Sequence, residues 1–182
     1  MCEMRKFSYM KEEDIVKNYC GLNDCKHAKR VVELCEIFAT EMGINNNGLL
    51  IRAACLHDIG KIVKGKHDKK KTIKQALKKV EYAPEDIEDV IYIIKYHKRK
   101  DFEPKRLKLE CSILRICDKL AKFYKPKIKE HKAIKSCEKS MEKIRKLLCD
   151  DKKILNDFEQ IYSTIKDKNR KINNNSSFKF EY

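Results

Sequence analysis

The chain has 182 residues, 42% of them apolar, and its formal net charge is +15. This length is most simply one domain with a proper core, and the apolar fraction is in the range of folded soluble proteins. No apolar stretch approaches the roughly 20 residues that a bilayer span needs, and the N-terminal MCEMRKFSYMKEED has no apolar segment typical of a secretion signal, so a cytoplasmic protein without a membrane partner is predicted.

Helical periodicity dominates the chain, because glycine and proline are few and most apolar residues recur at three- and four-residue steps. The sequence therefore predicts an all-α protein. In chain order, the predicted helices cover residues 11–20, 25–42, 47–58, a segment from 72, and then 84–97, 106–124, 128–149 and 151–168. Residues 173–182 are predicted to form a disordered polar tail.

Short-range signals mark several helix ends. Asp24 and Asn47 are predicted N-caps, since their side chains can accept a hydrogen bond from the first turn. Gly43 and Gly60 are predicted to end the helices that precede them. Pro84 suits the first helical position, and the two acids after it suit the helix dipole.

The chain contains nine cysteines and no CxxC pair. Several of them lie in helical patterns, where cysteine is a common small core residue: Cys35, Cys55, Cys111, Cys117 and Cys149. Because no export signal is seen, reduced thiols are predicted rather than disulfides.

The positive charge is concentrated in two segments. Residues 61–79 hold nine lysines against one aspartate, and residues 95–106 hold six lysines and arginines against two acids. Such segments attract polyanions, so nucleic acid is a candidate partner. A solvated lysine-rich surface is the alternative interpretation.

Several polar residues fall at positions that the helical periodicity assigns to the core. They are His27, His57, His97 and Asp118. For any one histidine alone, a hydrogen-bonded role in the core is the simpler interpretation. A metal ion shared between these residues accounts for all four positions at once.

Asp118 is the most informative of these residues, because a carboxylate in an apolar helix is costly unless it is paired or bound to a cation. A salt bridge to Lys61, Arg52 or Arg115 is the structural alternative. Imidazole and carboxylate ligands suit Mn, Fe, Co, Ni or Zn, and they leave coordination positions for water and substrate.

The order of these residues carries a family resemblance. His27 is followed by the doublet His57-Asp58 in HDIGK, and Asp118 lies in ILRICDKL, where a basic residue and a leucine follow it. This constellation resembles the HD superfamily of metal-dependent phosphohydrolases. The resemblance covers roughly residues 24–124.

The resemblance implies a single-domain, HD-type helical bundle with extra C-terminal helices. Its core would cover residues 24–124, after an N-terminal extension, 1–23, that contains a short helix. Residues 125–172 would form C-terminal helices that pack on this core. The apolar stripes of those helices could equally face a partner.

The resemblance also implies roles for individual residues. His27, His57, Asp58 and Asp118 would bind a divalent metal ion, which could be Mn, Fe, Co, Ni, Mg or Zn. Asp58 would also orient the attacking water, as a catalytic residue together with Lys61. The remaining roles are a second metal site or a phosphate contact for His67 and His97, and phosphate contacts for Lys61, Lys98 and Arg99.

The function that this resemblance implies is hydrolysis of a phosphate ester or anhydride in a nucleotide or another small phosphorylated metabolite. One alternative is a nuclease that acts on RNA or single-stranded DNA, which the charge of +15 also suits. A second alternative is a non-catalytic HD fold that binds nucleic acid. The chain lacks the GYP signature of the cyclic-dinucleotide phosphodiesterases, so that branch is not favoured.

Overall fold

A computed structural model of the protein describes residues 22–58, 84–124 and 130–174, and within these ranges the regular structure is helical, with no strand. The all-α prediction is therefore confirmed. The helices are α1 (Leu22–Glu41), α2 (Gly48–Leu56), α3 (Pro84–Tyr96), α4 (Lys108–Leu120), α5 (Glu130–Leu148) and α6 (Lys152–Asn174). A 3-10 turn, Ala121–Tyr124, continues α4.

Helix α1 ends just before Gly43, the glycine that was predicted to end it. Gly43 has a φ of +67°, a left-handed conformation that glycine adopts without steric cost. Its amide donates to the Thr40 carbonyl at 3.0 Å, and the Ile44 amide donates to the Ala39 carbonyl at 2.8 Å. These two bonds satisfy carbonyls of the last turn and confirm that Gly43 ends this helix.

The predicted N-caps have mixed outcomes. Asp24 lies inside the first turn of α1, so its assignment as the cap was wrong, although an acid there still suits the helix dipole. Asn47 is the N-cap of α2, but its side chain makes no capping hydrogen bond. The helices predicted over 11–20 and from residue 72, and the predicted stop at Gly60, lie outside the described residues.

Helix α4 lies at the centre of the fold, where α1, α3 and α5 pack around it. Because apolar side chains cover most of its circumference, it can be buried on nearly every side. The buried residues of α4 are Cys111, Ser112, Ile113, Leu114, Arg115, Ile116, Cys117, Asp118 and Leu120. This position brings Asp118 into the core.

The C-terminal helices pack on the same core. Helix α5 buries Cys137, Met141 and Ile144, and α6 buries Phe158 and Tyr162. The rings of Phe38 in α1 and Phe158 in α6 lie with their centroids 5.1 Å apart, which joins α6 to the first described helix. The apolar stripes of α5 and α6 therefore cover the domain.

The described thiols are free, and most of them are small core residues: Cys35, Cys55, Cys111, Cys117 and Cys137. Cys149 is the exception. It lies just past the end of α5 and is exposed, so the prediction of a core position for this residue was wrong. The apolar stripe of α5 ends at Leu148, before the turn that leads into α6.

None of the helices in the described ranges combines the length and the apolar content that a bilayer span requires.

Candidate metal centre

Four residues from three parts of the fold meet in the core: His27 of α1, His57 and Asp58 just after α2, and Asp118 of α4. His57 is the C-cap of α2 and still has helical backbone angles, so the buried face of α2 carries its ring into the core. None of the four residues is more than 6% exposed. Residues far apart in sequence therefore share one buried position.

The ligating atoms are as close as a single ion requires. His27 Nε2 lies 3.2 Å from Asp118 Oδ1 and 3.9 Å from Asp58 Oδ2. His57 Nε2 lies 3.5 Å from Asp58 Oδ2 and 3.7 Å from Asp118 Oδ1. Two ligands at metal distances of about 2.0–2.2 Å lie about 3 to 4 Å apart, which these separations match. One ligand atom from each residue falls within 4.8 Å of the others.

His57 shows the clearest sign of a missing partner. Its Nδ1–H donates to the Ala54 carbonyl at 2.7 Å, which leaves Nε2 with the lone pair. This Nε2 is buried and has no hydrogen-bond partner in the structure. A metal-binding histidine usually donates one ring N–H to a carbonyl or carboxylate, which fixes the tautomer and leaves the other nitrogen for the metal. Nε2 of His57 is that other nitrogen, and it points toward the two carboxylates. The residues present therefore fit a divalent cation.

The protonation states also suit metal binding. Burial lowers the pKa of His57 below its ordinary value, although Asp58 and Asp118 oppose this effect. Burial alone would raise the pKa of Asp118, but the hydrogen bond with His27 and the ammonium of Lys119 hold that pKa well below its usual range. A neutral imidazole beside an ionised carboxylate is the ligating form of both groups.

Three ammonium groups contact the carboxylates of the cluster. Lys98 bonds to Asp58 Oδ1, and Lys119 bonds to Asp118 Oδ2. Lys122 lies 3.9 Å from the same Asp118 oxygen. Lys119 and Lys122 were not among the residues singled out from the sequence. For Lys122 the available signal was its spacing of four residues after Asp118, because residues four apart share a helix face. Lys119 directly follows Asp118, and helical spacing gives no such signal for it.

His97 lies beside the four-residue cluster without belonging to it. The centroids of the His57 and His97 rings are 5.3 Å apart. Its Nδ1–H donates to the Ile94 carbonyl, and its buried Nε2 has no partner in the structure. Burial lowers the pKa of His97 to about 3, so its ring is neutral near pH 7.

Of the remaining predicted site residues, the structure describes Arg99, which is not one of the four clustered residues. The Arg99 guanidinium donates to both Asp101 oxygens, at 2.6 and 3.3 Å, and lies over the Tyr96 ring. Lys61 and His67 lie outside the described residues. Their predicted roles remain predictions.

Two arginines considered as salt-bridge partners of Asp118 have other contacts. Arg52 pairs with Asp86 at 3.1 Å. Arg115 Nη1 donates to the backbone carbonyls of His97 and Arg99, at 3.1 and 3.0 Å. The cations near Asp118 in the described ranges are instead the two lysines that follow it.

The chain is similar to a known protein family. A family model described as the HD domain matches residues 25–122, more than half of the 182-residue chain. This span contains all four residues of the cluster and His97. Neither the curated proteins nor the solved structures contain a match to the chain.

Proposed function

The chain belongs to the HD domain family of metal-dependent hydrolases, and on this premise we propose that it hydrolyses a phosphate ester or anhydride in a nucleotide or another small phosphorylated metabolite. The observation that carries the proposal is the buried His57 Nε2, which has no hydrogen-bond partner and lies 3.5 and 3.7 Å from oxygens of Asp58 and Asp118. A hydrogen-bonded core histidine would have both ring nitrogens satisfied.

His27, His57, Asp58 and Asp118 would hold the cation. They offer two nitrogen and two oxygen ligands, a set that suits Mn, Fe, Co, Ni or Zn. A bound divalent ion supplies Lewis acidity, which lowers the pKa of water and polarises a phosphoryl oxygen. Two imidazoles and two carboxylates leave further positions for water and a phosphate oxygen.

The chain's own residues would position the reactants. Asp58 directs Oδ2 toward the two histidines and Oδ1 toward Lys98, so the carboxylate can serve the cation and also orient a water. Lys98, Lys119 and Lys122 bring ammonium groups to the same place. There they would neutralise the negative charge that develops on the phosphate during hydrolysis.

The tautomer of His97 bears on its role. Because Nδ1–H is already donated to the Ile94 carbonyl, the neutral ring presents only a lone pair at Nε2. A lone pair can bind a cation or accept from water, but it cannot donate to a phosphate oxygen. The resemblance implies that His97 either binds a second metal ion or contacts the phosphate. We therefore favour the role of a ligand to a second cation.

The proposal is tested by incubating the purified protein with Mn, Mg, Co or Ni and a panel of substrates. The panel contains nucleoside mono-, di- and triphosphates, dinucleoside polyphosphates and single-stranded RNA, with products separated by chromatography. We expect hydrolysis that requires a divalent metal and stops when a chelator is added. A protein prepared anaerobically that retains no metal and cleaves none of these compounds would contradict the proposal.

Lys122→Gln is expected to lower kcat/KM by about 10- to 100-fold, the range for a lost hydrogen bond to a charged group. The reason is that the Lys122 ammonium lies near the cluster, 3.9 Å from Asp118 Oδ2, without being a metal ligand. Metal content should be unchanged by elemental analysis. Lys132→Gln, which removes an exposed lysine of α5, is the matched control. Loss of metal in parallel with activity would instead make Lys122 a support of the metal site.

A further inference from the structure

A cleft of about 530 Å³ lies between the loop that joins α3 to α4 and the C-terminal end of α5. Its walls carry an excess of positive charge. The lining lysines are Lys100, Lys105, Lys108, Lys143 and Lys146. The lining acids are Asp101, Glu103 and Asp150. Two segments far apart in sequence thus form one basic surface.

Several of these lysines are available to a ligand. Lys100, Lys105 and Lys108 are exposed, and none of them forms an ion pair with any described residue. Among the lining acids, Asp101 is already bound by both arms of the Arg99 guanidinium. The charge that remains for a partner in the cleft is therefore positive.

The loop that forms one wall is held in place. Buried Arg115 donates to the carbonyls of His97 and Arg99 and stacks over the ring of buried Phe102, 4.6 Å away. The Tyr92 hydroxyl accepts a hydrogen bond from the Lys105 amide at 2.8 Å. A wall fixed in this way loses little conformational entropy when a ligand binds.

The loop between α3 and α4 contributes to both the metal centre and the cleft. Lys98 bonds to Asp58 of the cluster, and Lys100 lines the cleft. Two residues of extended chain span at most about 7 Å, so the Cα atoms of these lysines are within that distance. The same loop therefore supplies one lysine to the metal centre and another to the cleft.

We propose that this cleft binds the phosphodiester backbone of single-stranded nucleic acid. A series of ammonium groups along a groove matches the repeating phosphates of such a strand better than the one or few phosphates of a small metabolite. Arg99 precedes the lining residue Lys100 in sequence, and its guanidinium, 36% exposed by side chain and lying over Tyr96, offers a planar group on which a base can stack.

Binding in the cleft needs no hydrolytic chemistry. That a bound strand is also cleaved would rest on the proposed metal-dependent hydrolysis, in the form of its nuclease alternative. The nuclease alternative gains support from this arrangement. Measuring binding without metal separates the two questions.

The test is fluorescence anisotropy of a labelled oligo(dT) of about 20 nucleotides, in chelator, between about 50 and 200 mM salt. The cleft variant is Lys105→Gln, Lys108→Gln and Lys146→Gln. The control variant removes the same charge from exposed positions near the other end of α5, with Lys132→Gln, Lys135→Gln and Lys139→Gln. Lys143 is kept in both, because its ammonium donates to the Lys100 carbonyl.

We expect the cleft variant to raise Kd at least about tenfold and to reduce the slope of log Kd against log salt by about 2, since each lost phosphate contact on a single strand contributes about 0.7. The control should change Kd by less than about threefold, because counterion release requires direct phosphate contact. Circular dichroism should show the same helix content in both variants.

Three outcomes would overturn the inference. The first is a wild-type protein that does not bind oligo(dT). The second is equal weakening by the two variants, which would show diffuse attraction by net charge. The third is an acidic peptide or inorganic polyphosphate that binds at the cleft while oligo(dT) does not compete. Absence of hydrolysis would count against the proposed function and leave binding in the cleft intact.

Discussion

Asp118→Asn is expected to abolish the metal site and the hydrolysis that depends on it. The amide keeps the volume of the side chain, but it removes the charge that His27, Lys119 and Lys122 surround. Loss of a group that only supports a ligand costs about 10- to 100-fold in metal affinity. Loss of a ligating carboxylate should therefore exceed about 100-fold, because the coordination bond itself is removed.

Elemental analysis and thermal unfolding measure this loss. At a Mn²⁺ concentration about 100 times Kd, binding stabilises a native protein by about 2.7 kcal/mol. For a chain of this length, that energy raises Tm by about 5 to 10 °C. The wild-type protein should show this increase, and Asp118→Asn should not.

Asp157→Asn is the matched control, since this carboxylate is exposed on α6. It should bind metal and gain thermal stability as the wild-type protein does. An Asp118→Asn protein that retains metal with unchanged affinity would show that Asp118 serves the packing of α4 and not the metal. The chain would then be a member of the HD domain family that does not bind metal through Asp118.

Phe158→Ala is expected to destabilise the whole protein by about 3 to 5 kcal/mol, the usual cost of removing a buried aromatic ring. Phe158 is fully buried and packs on Phe38 of α1. Removal of the ring would leave a cavity between α6 and α1, the helix that carries the predicted metal ligand His27. Urea unfolding followed by circular dichroism gives the free energy of unfolding.

The control for this experiment is Gln160→Ala, an exposed position on the same helix, which should change the free energy by less than about 0.5 kcal/mol. A single transition shifted by Phe158→Ala would show that α6 and the metal-binding helices unfold as one unit. If α6 instead unfolded separately while the rest kept its stability, the C-terminal helices would form a unit of their own.

Stability and metal binding should be coupled in this protein. The ligands come from α1, from the end of α2 and from α4, and these helices also supply much of the buried core. Because an unfolded chain does not preform such a site, metal binding adds to folding free energy. Substitutions such as Phe158→Ala should therefore be partly offset by saturating metal, whereas Asp118→Asn should not.

Local chemistry explains what could be predicted from the sequence. Helical periodicity identified the described helices, and Gly43 and Pro84 marked where two of them end and begin. The polar residues in core positions were recognisable because a buried imidazole or carboxylate is costly without a partner. The structure brings His27, His57, Asp58 and Asp118 to one place.

Failures of the sequence predictions also have local causes. Asp24 is a residue type that favours the N-cap, but the helix begins at Leu22, before it. Cys149 directly follows the apolar stripe of α5, yet the helix ends at Leu148 and the residue is exposed. A periodic pattern does not show where its last buried turn lies.

Only the tertiary structure decided which charged side chains serve the site. Lys98 bonds to Asp58, which lies in a distant segment, and Arg115 donates to the backbone carbonyls of the loop after α3. The basic cleft joins residues 100–108 to residues 143–150, which no spacing along the chain connects. The sequence by itself determined the helices and the unusual core residues, because both follow from short-range periodicity and burial cost. The partners of flexible charged side chains depend on long-range packing, which brings distant segments within hydrogen-bonding distance.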